Sequence, residues 1–106
     1  MKLHPVLSQL IEAQNEFNAA AFANCFTENA IVFDENEKHE GREAIKKWNE
    51  ATNAKYQTQL EAISYSETNQ ESVLKVKVSG TFGDPVELNY HFTSQEGLID
   101  SLEVKG

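Results

Sequence analysis

Leu74-Lys75-Val76-Lys77-Val78-Ser79, followed beyond Gly83-Asp84-Pro85 by Val86-Glu87-Leu88-Asn89-Tyr90-His91-Phe92, is the stretch that decides the fold. In both runs apolar residues alternate with polar ones, the period-two signature of strands that bury one face. Gly-Asp-Pro between them is a turn signal, so the pair reads as a hairpin. Gly80 interrupts the alternation and is expected to mark a bulge or bend that curves the sheet. Tyr56 to Tyr65 and Leu98 to Val104 read as flanking strands, with Gln95-Glu96-Gly97 as the last turn.

Upstream the period changes. Val6, Leu7, Leu10, Ile11, Ala13 and Phe17 recur at three-and-four spacing after Pro5, which suits the first position of a helix. Asn15 and Asn18 interrupt this stripe, and Asn18 is placed to cap a second short helix from Ala19 to Phe26. Thr27-Glu28-Asn29 reads as a turn, and Ala30-Ile31-Val32-Phe33 as a short strand ending in Asp34. Glu35 to Glu40 reads as a polar loop. A third helix runs from Arg42 to about Ala54, with Ala44, Ile45, Trp48, Ala51 and Thr52 on one side. Helices first and an antiparallel meander after them give an α+β fold, with the helices on one face of a curved sheet.

The 106 residues form a single domain, 1–106, by length. A formal net charge of −8 argues against nucleic acid, which needs a basic footprint, and against an anionic membrane surface. The single cysteine, Cys25, cannot pair within the chain, and no run suits a signal peptide or membrane span, so a cytoplasmic protein is expected. No His/Cys spacing suits zinc. Asp34, Asn36 and Lys38 mimic the opening of a calcium loop, but His39 and Ile45 stand where it needs Gly and Glu. No metal and no cofactor are expected.

Ala13-Gln14-Asn15-Glu16-Phe17-Asn18, Ala21 to Phe26, Glu28 to Asp34, His39-Glu40-Gly41-Arg42-Glu43-Ala44-Ile45 and Trp48 together resemble the nuclear transport factor 2-like superfamily. Within it they resemble the SnoaL-like group, which includes polyketide cyclases and is related to ketosteroid isomerase. The resemblance implies a cystatin-like α+β barrel: a cone-shaped, strongly bent antiparallel sheet packed on three helices of the N-terminal half, with a pocket in its open end. It also implies a homodimer through the outer sheet face, where Lys75 and Lys77 face Glu87 and His91 in sign.

By the same resemblance Asp34 stands where the isomerases keep their catalytic base. Alternation puts Val32 and Asp34 on one face, so a concave face would aim the carboxylate into the pocket. The competing structural role is a loop cap or an ion pair with Arg42. The isomerase's two enolate donors fall on Leu10 and Leu88, neither of which can donate a hydrogen bond. His39 is a candidate proton shuttle oriented by Asp34, or a solvated loop residue. Asn15, Val32, Trp48, Tyr56, Tyr90 and Phe92 are expected to line the pocket, the tyrosines as hydrogen-bond donors, with plain core packing as the alternative.

Two functions stand. One is a domain that binds a small, mostly apolar organic molecule and transfers a proton next to a carbonyl, as isomerases and cyclases do, with Asp34 and His39 catalytic. The other is a ligand-binding or protein-interaction module without chemistry.

Overall fold

The computed structural model describes residues 3–34, 36–68 and 71–106. In chain order the elements are α1 (Pro5–Asn15), α2 (Ala19–Ala23), β1 (Phe26–Asp34), β2 (Glu37–Glu40), α3 (Arg42–Tyr56), β3 (Gln59–Glu67), β4 (Ser72–Ser79), β5 (Val86–Gln95) and β6 (Leu98–Lys105). All six strands form one sheet in the order β2-β1-β6-β5-β4-β3. Every neighbouring pair is antiparallel except β1 and β6, which run parallel.

The hairpin of β4 and β5 pairs Leu74 with Tyr90, Val76 with Leu88 and Val78 with Val86. Leu74 and Val76 are fully buried, while Lys77 and Glu87 on the opposite face stay in solvent. Register shifts between Ala62 and Ser64, Thr93 and Ser94, and Phe26 and Ile31 bend the sheet over the helices. The expected bulge at Gly80 is displaced: β4 ends at Ser79, and Gly80 serves a close contact instead. A Cβ there would stand 2.5 Å from the Tyr56 carbonyl oxygen. That proximity lets Thr81 donate its N–H to the same oxygen (2.8 Å) and its hydroxyl to the Lys55 carbonyl (3.2 Å). The hairpin base is thereby tied to the C-terminal end of α3.

Local reading misplaces four boundaries. Thr27-Glu28-Asn29 belongs to β1, because Ile99 of β6 donates to the Cys25 carbonyl and Thr27 bonds Asp100 (2.9 Å for each), so sheet pairing overrides turn propensity. Glu37 to Glu40 is β2, a strand laid antiparallel on β1, with Asn36 left-handed in the turn; Glu35 lies outside the described residues. The second helix stops at Ala23 and Phe26 opens β1. The third helix continues to Tyr56, which is therefore helical, and Gln57 closes it in the left-handed conformation. Asn18 caps α2 as expected, accepting the Ala21 N–H at 3.0 Å.

The core lies between the concave face of the sheet and the helices. Leu7 and Leu10 of α1, Phe22 and Phe26, Ile45 of α3, and Leu74, Ile99 and Leu102 of the sheet are all essentially inaccessible. Ala51, expected on the buried side of α3, is exposed; the fully buried positions of that helix are Ile45 and Asn49. No helix among the described residues is long and apolar enough to cross a membrane.

Candidate functional site

A cavity of about 280 Å³ opens between α3 and the sheet, near the lower end of the ~300–1,000 Å³ typical of ligand pockets. One wall is the helical stripe Trp48, Asn49, Thr52 and Tyr56, spaced by three and four residues so that all four share a face. The opposite wall comes from the sheet: Val78, Val86, Leu88, Tyr90 and Val104. Phe82 and Val86 are exposed large hydrophobics on this lining, and Phe82 meets Tyr56 edge to face at 5.9 Å. The lining is mostly apolar, and its polar groups fall into two places.

The first is the end of β1. Asp34 is half-buried, lines the cavity, and accepts the indole N–H of Trp48 at 3.3 Å through Oδ2. It also borders a second hollow with Phe33, Asn36 and Glu103, so the carboxylate sits between two openings. Tyr90 lines the same cavity. Burial, and after it the negative charge of Asp34, push the Tyr90 phenol well above its ordinary range. At neutral pH it is a donor, and its hydroxyl makes no hydrogen bond to any described residue.

The second place is built from amides. Gln14 of α1 donates through Nε2 to the Thr58 carbonyl (2.8 Å) and to Asn53 Oδ1 (2.7 Å). Asn53 donates to Asn49 Oδ1 (3.0 Å), and Asn49 donates back to Gln14 Oε1 (2.8 Å), which closes a ring of three amides. The Thr58 carbonyl can only accept, so it fixes the orientation of Gln14 and, in turn, of the other two. Sequence reasoning missed this ring. Its signal was present: Gln14 and Asn49 stand one helical step beyond Leu10 and Ile45, at positions the spacing assigns to the core.

Of the residues singled out from the sequence, Asp34, Trp48, Tyr56 and Tyr90 meet around the cavity, and the other four lie outside its lining. His39 is on β2, paired with Val32, and its ring stacks on Trp48 at 5.4 Å. Its Nε2 is buried with no hydrogen-bond partner among the described residues; Glu37 is 3.8 Å away, too far for a bond. His39 therefore backs the indole that holds Asp34. Val32 is fully buried core. Asn15 clasps β3, accepting the Leu60 N–H (2.7 Å) and donating to its carbonyl (3.0 Å). Phe92 is core, stacked on Tyr65 at 6.3 Å. Arg42 gives its Nε–H to the Phe26 carbonyl at 2.8 Å. Among the described residues no group of His, Cys, Asp and Glu could hold a metal ion.

No family model and no curated protein matches the chain by sequence. Solved structures do. A protein of Sinorhizobium meliloti, provisionally named a polyketide cyclase, is 30% identical with a TM-score of 0.91, over 97% of this chain and 95% of its own. An epoxide hydrolase/cyclase-like enzyme of pyran ring formation in the polyether salinomycin is 22% identical with a TM-score of 0.81, over 95% of this chain and 87% of that one. A protein of Catenulispora acidiphila with a ketosteroid isomerase-like fold is 15% identical with a TM-score of 0.88, over 99% and 87%. The last two show the fold; the first, at its identity and coverage, shows kinship. The chain belongs to the nuclear transport factor 2-like superfamily, in its SnoaL-like group.

Proposed function

We propose that the protein binds a small, mostly apolar organic molecule in the cone and transfers a proton at the carbon next to its carbonyl. One observation carries this reading: a carboxylate, and a neutral phenol whose hydroxyl has no hydrogen-bond partner among the described residues, line the same apolar cavity, close enough for the charge of one to suppress ionisation of the other. In the step, Asp34 takes the proton from the α-carbon, the C–H electron pair becomes a carbon–carbon π bond, and the carbonyl π pair moves onto the oxygen. The Tyr90 O–H stabilises the resulting enolate by a hydrogen bond. The Asp34 carboxylic acid exchanges its proton with solvent and returns one to a carbon of the enolate, and no electrons are gained or lost. A donor aimed at the developing oxyanion is worth about 3–4 kcal/mol. Leu88 cannot supply it, but Tyr90, two residues further on and facing the same cavity, can. The related Sinorhizobium meliloti protein is named a cyclase, which agrees with chemistry at an organic ligand.

The test is deuterium uptake at the α-carbons of 1-decalone in D2O, followed by proton NMR. Uptake is expected to run about a thousandfold or more above the rate in buffer with an equal concentration of free carboxylate. A rate equal to that control, with the ketone bound, overturns the catalytic reading.

A binding module without turnover is the second reading, and one contact favours it. The Trp48 N–H occupies an Asp34 oxygen that a base would turn to its substrate. On this reading the ketone binds, nothing exchanges, and Asp34→Asn leaves its affinity intact.

A further inference from the structure

The amide ring leaves a donor unused. Gln14 spends both N–H groups and Asn49 spends only one, while Asn49 is 1% exposed and lines the cavity. Its Oδ1 and its Nδ2 are each tied into the ring, so the side chain cannot turn to find another partner. The remaining N–H has no acceptor among the described residues. Thr52 and Thr58 line the same cavity, and their hydroxyls make no hydrogen bond to the described residues. Carbonyl oxygens with one spare lone pair are common in protein interiors, but a buried N–H without an acceptor is rare and costly. No hydrogen bond joins this group to the Asp34 and Tyr90 corner among the described residues, so the cavity has two separate polar places in an apolar lining.

We infer that Asn49, with Thr52 and Thr58 of the same lining, forms a second oxygen-binding subsite, and that the ligand is a dioxygenated molecule. Resting on the function proposed above, one oxygen is the carbonyl that meets Tyr90, and the other is an acceptor oxygen, a second carbonyl or an ether, that takes the Asn49 N–H. A site built to bond an oxygen discriminates strongly against the analogue that lacks it, because its polar groups are then buried unpaired.

The experiment uses the full chain with 1-decalone and three decalindiones, the 1,4-, 1,5- and 1,6-isomers, each titrated by proton–nitrogen NMR. The best dione is expected to bind at least tenfold more tightly than 1-decalone and to shift the side-chain NH2 pair of Asn49, which 1-decalone leaves in place. Affinities within twofold for all four ketones, or an Asn49 pair unmoved at dione saturation, overturn the subsite while leaving the function proposed above intact. No binding of any ketone removes both. Asn49→Leu breaks the ring and is scored only if its spectrum is that of a folded protein. A folded variant should lose the dione preference, and retention of a tenfold preference overturns the proposal. Should the variant unfold, the wild-type titrations decide alone.

Discussion

Two walls of one cavity are built on opposite principles. At the end of β1 a carboxylate, an indole and a phenol meet, the indole N–H bonded to the carboxylate and the phenol hydroxyl without a hydrogen-bond partner among the described residues. Across α3, three neutral amides close on one another and on the Thr58 carbonyl, with a single N–H left over on Asn49. The first contains ionisable groups and the second contains none. The comparison teaches that the phenol offered to a ligand is left open among the described residues, while the amides that set shape are bonded almost to saturation.

The contrast can be broken at its strongest point by Asp34→Asn. Deuterium uptake by 1-decalone is expected to fall about a thousandfold or more, to the buffer rate, with an unchanged NMR fold signature; general-base losses of ~10²–10⁴ are usual. Tyr90→Phe is next, with uptake expected to fall about a hundredfold, the cost of one oxyanion donor. Its urea midpoint should move little, because the hydroxyl has no partner among the described residues to leave behind.

Gln14→Leu sharpens the comparison from the other wall. It strips a partner from Asn49 and from Asn53 and leaves the Thr58 carbonyl without its donor. Each buried group left unpaired costs about 1–3 kcal/mol, so urea unfolding should show a loss of roughly 3 kcal/mol. A variant as stable as the wild type would mean that the ring is ornamental.

The smallest effect is alkaline. Burial pushes the Cys25 thiol from 9.0 up to about 11. A group whose folded value is raised contributes stability that is complete below its unfolded value and lost as pH climbs through the folded one. Unfolding free energy should therefore decline between about pH 9 and 11 by ~2 kcal/mol, less in Cys25→Ala than in the wild type, with the Tyr90 phenol adding to the loss above pH 10.

The fold was legible wherever one residue type repeats at one period. Leu74, Val76 and Val78 against Leu88 and Tyr90 announce their pairing, since alternation is a local property. Glu37 to Glu40 carries no such pattern and becomes a strand only because β1 offers it an edge, which no local reading detects. Asp34, Trp48, Tyr56 and Tyr90 were visible as candidates because a carboxylate at a strand end and aromatics at regular spacing stand out. Asn15, Val32, His39 and Phe92 carry the same local marks, and which of the eight reach the cavity depends on how the sheet curls. Gln14 and Asn49 escaped for a different reason: an amide at a core position is informative only when its partner is known, and the partners lie 35 residues apart.

The parallel pairing of β6 with β1 has a consequence for how the protein is made. β6 lies between β1 and β5, so residues 98–105 join the helix-bearing half of the sheet to the β3–β5 meander. Until a ribosome has released that segment, the two halves share no strand partner, and a nascent chain exposes two open sheet edges that invite misassociation. Closure of the cone is thus a long-range event that waits for residues 98–105 to emerge, however fast the earlier helices and hairpins form.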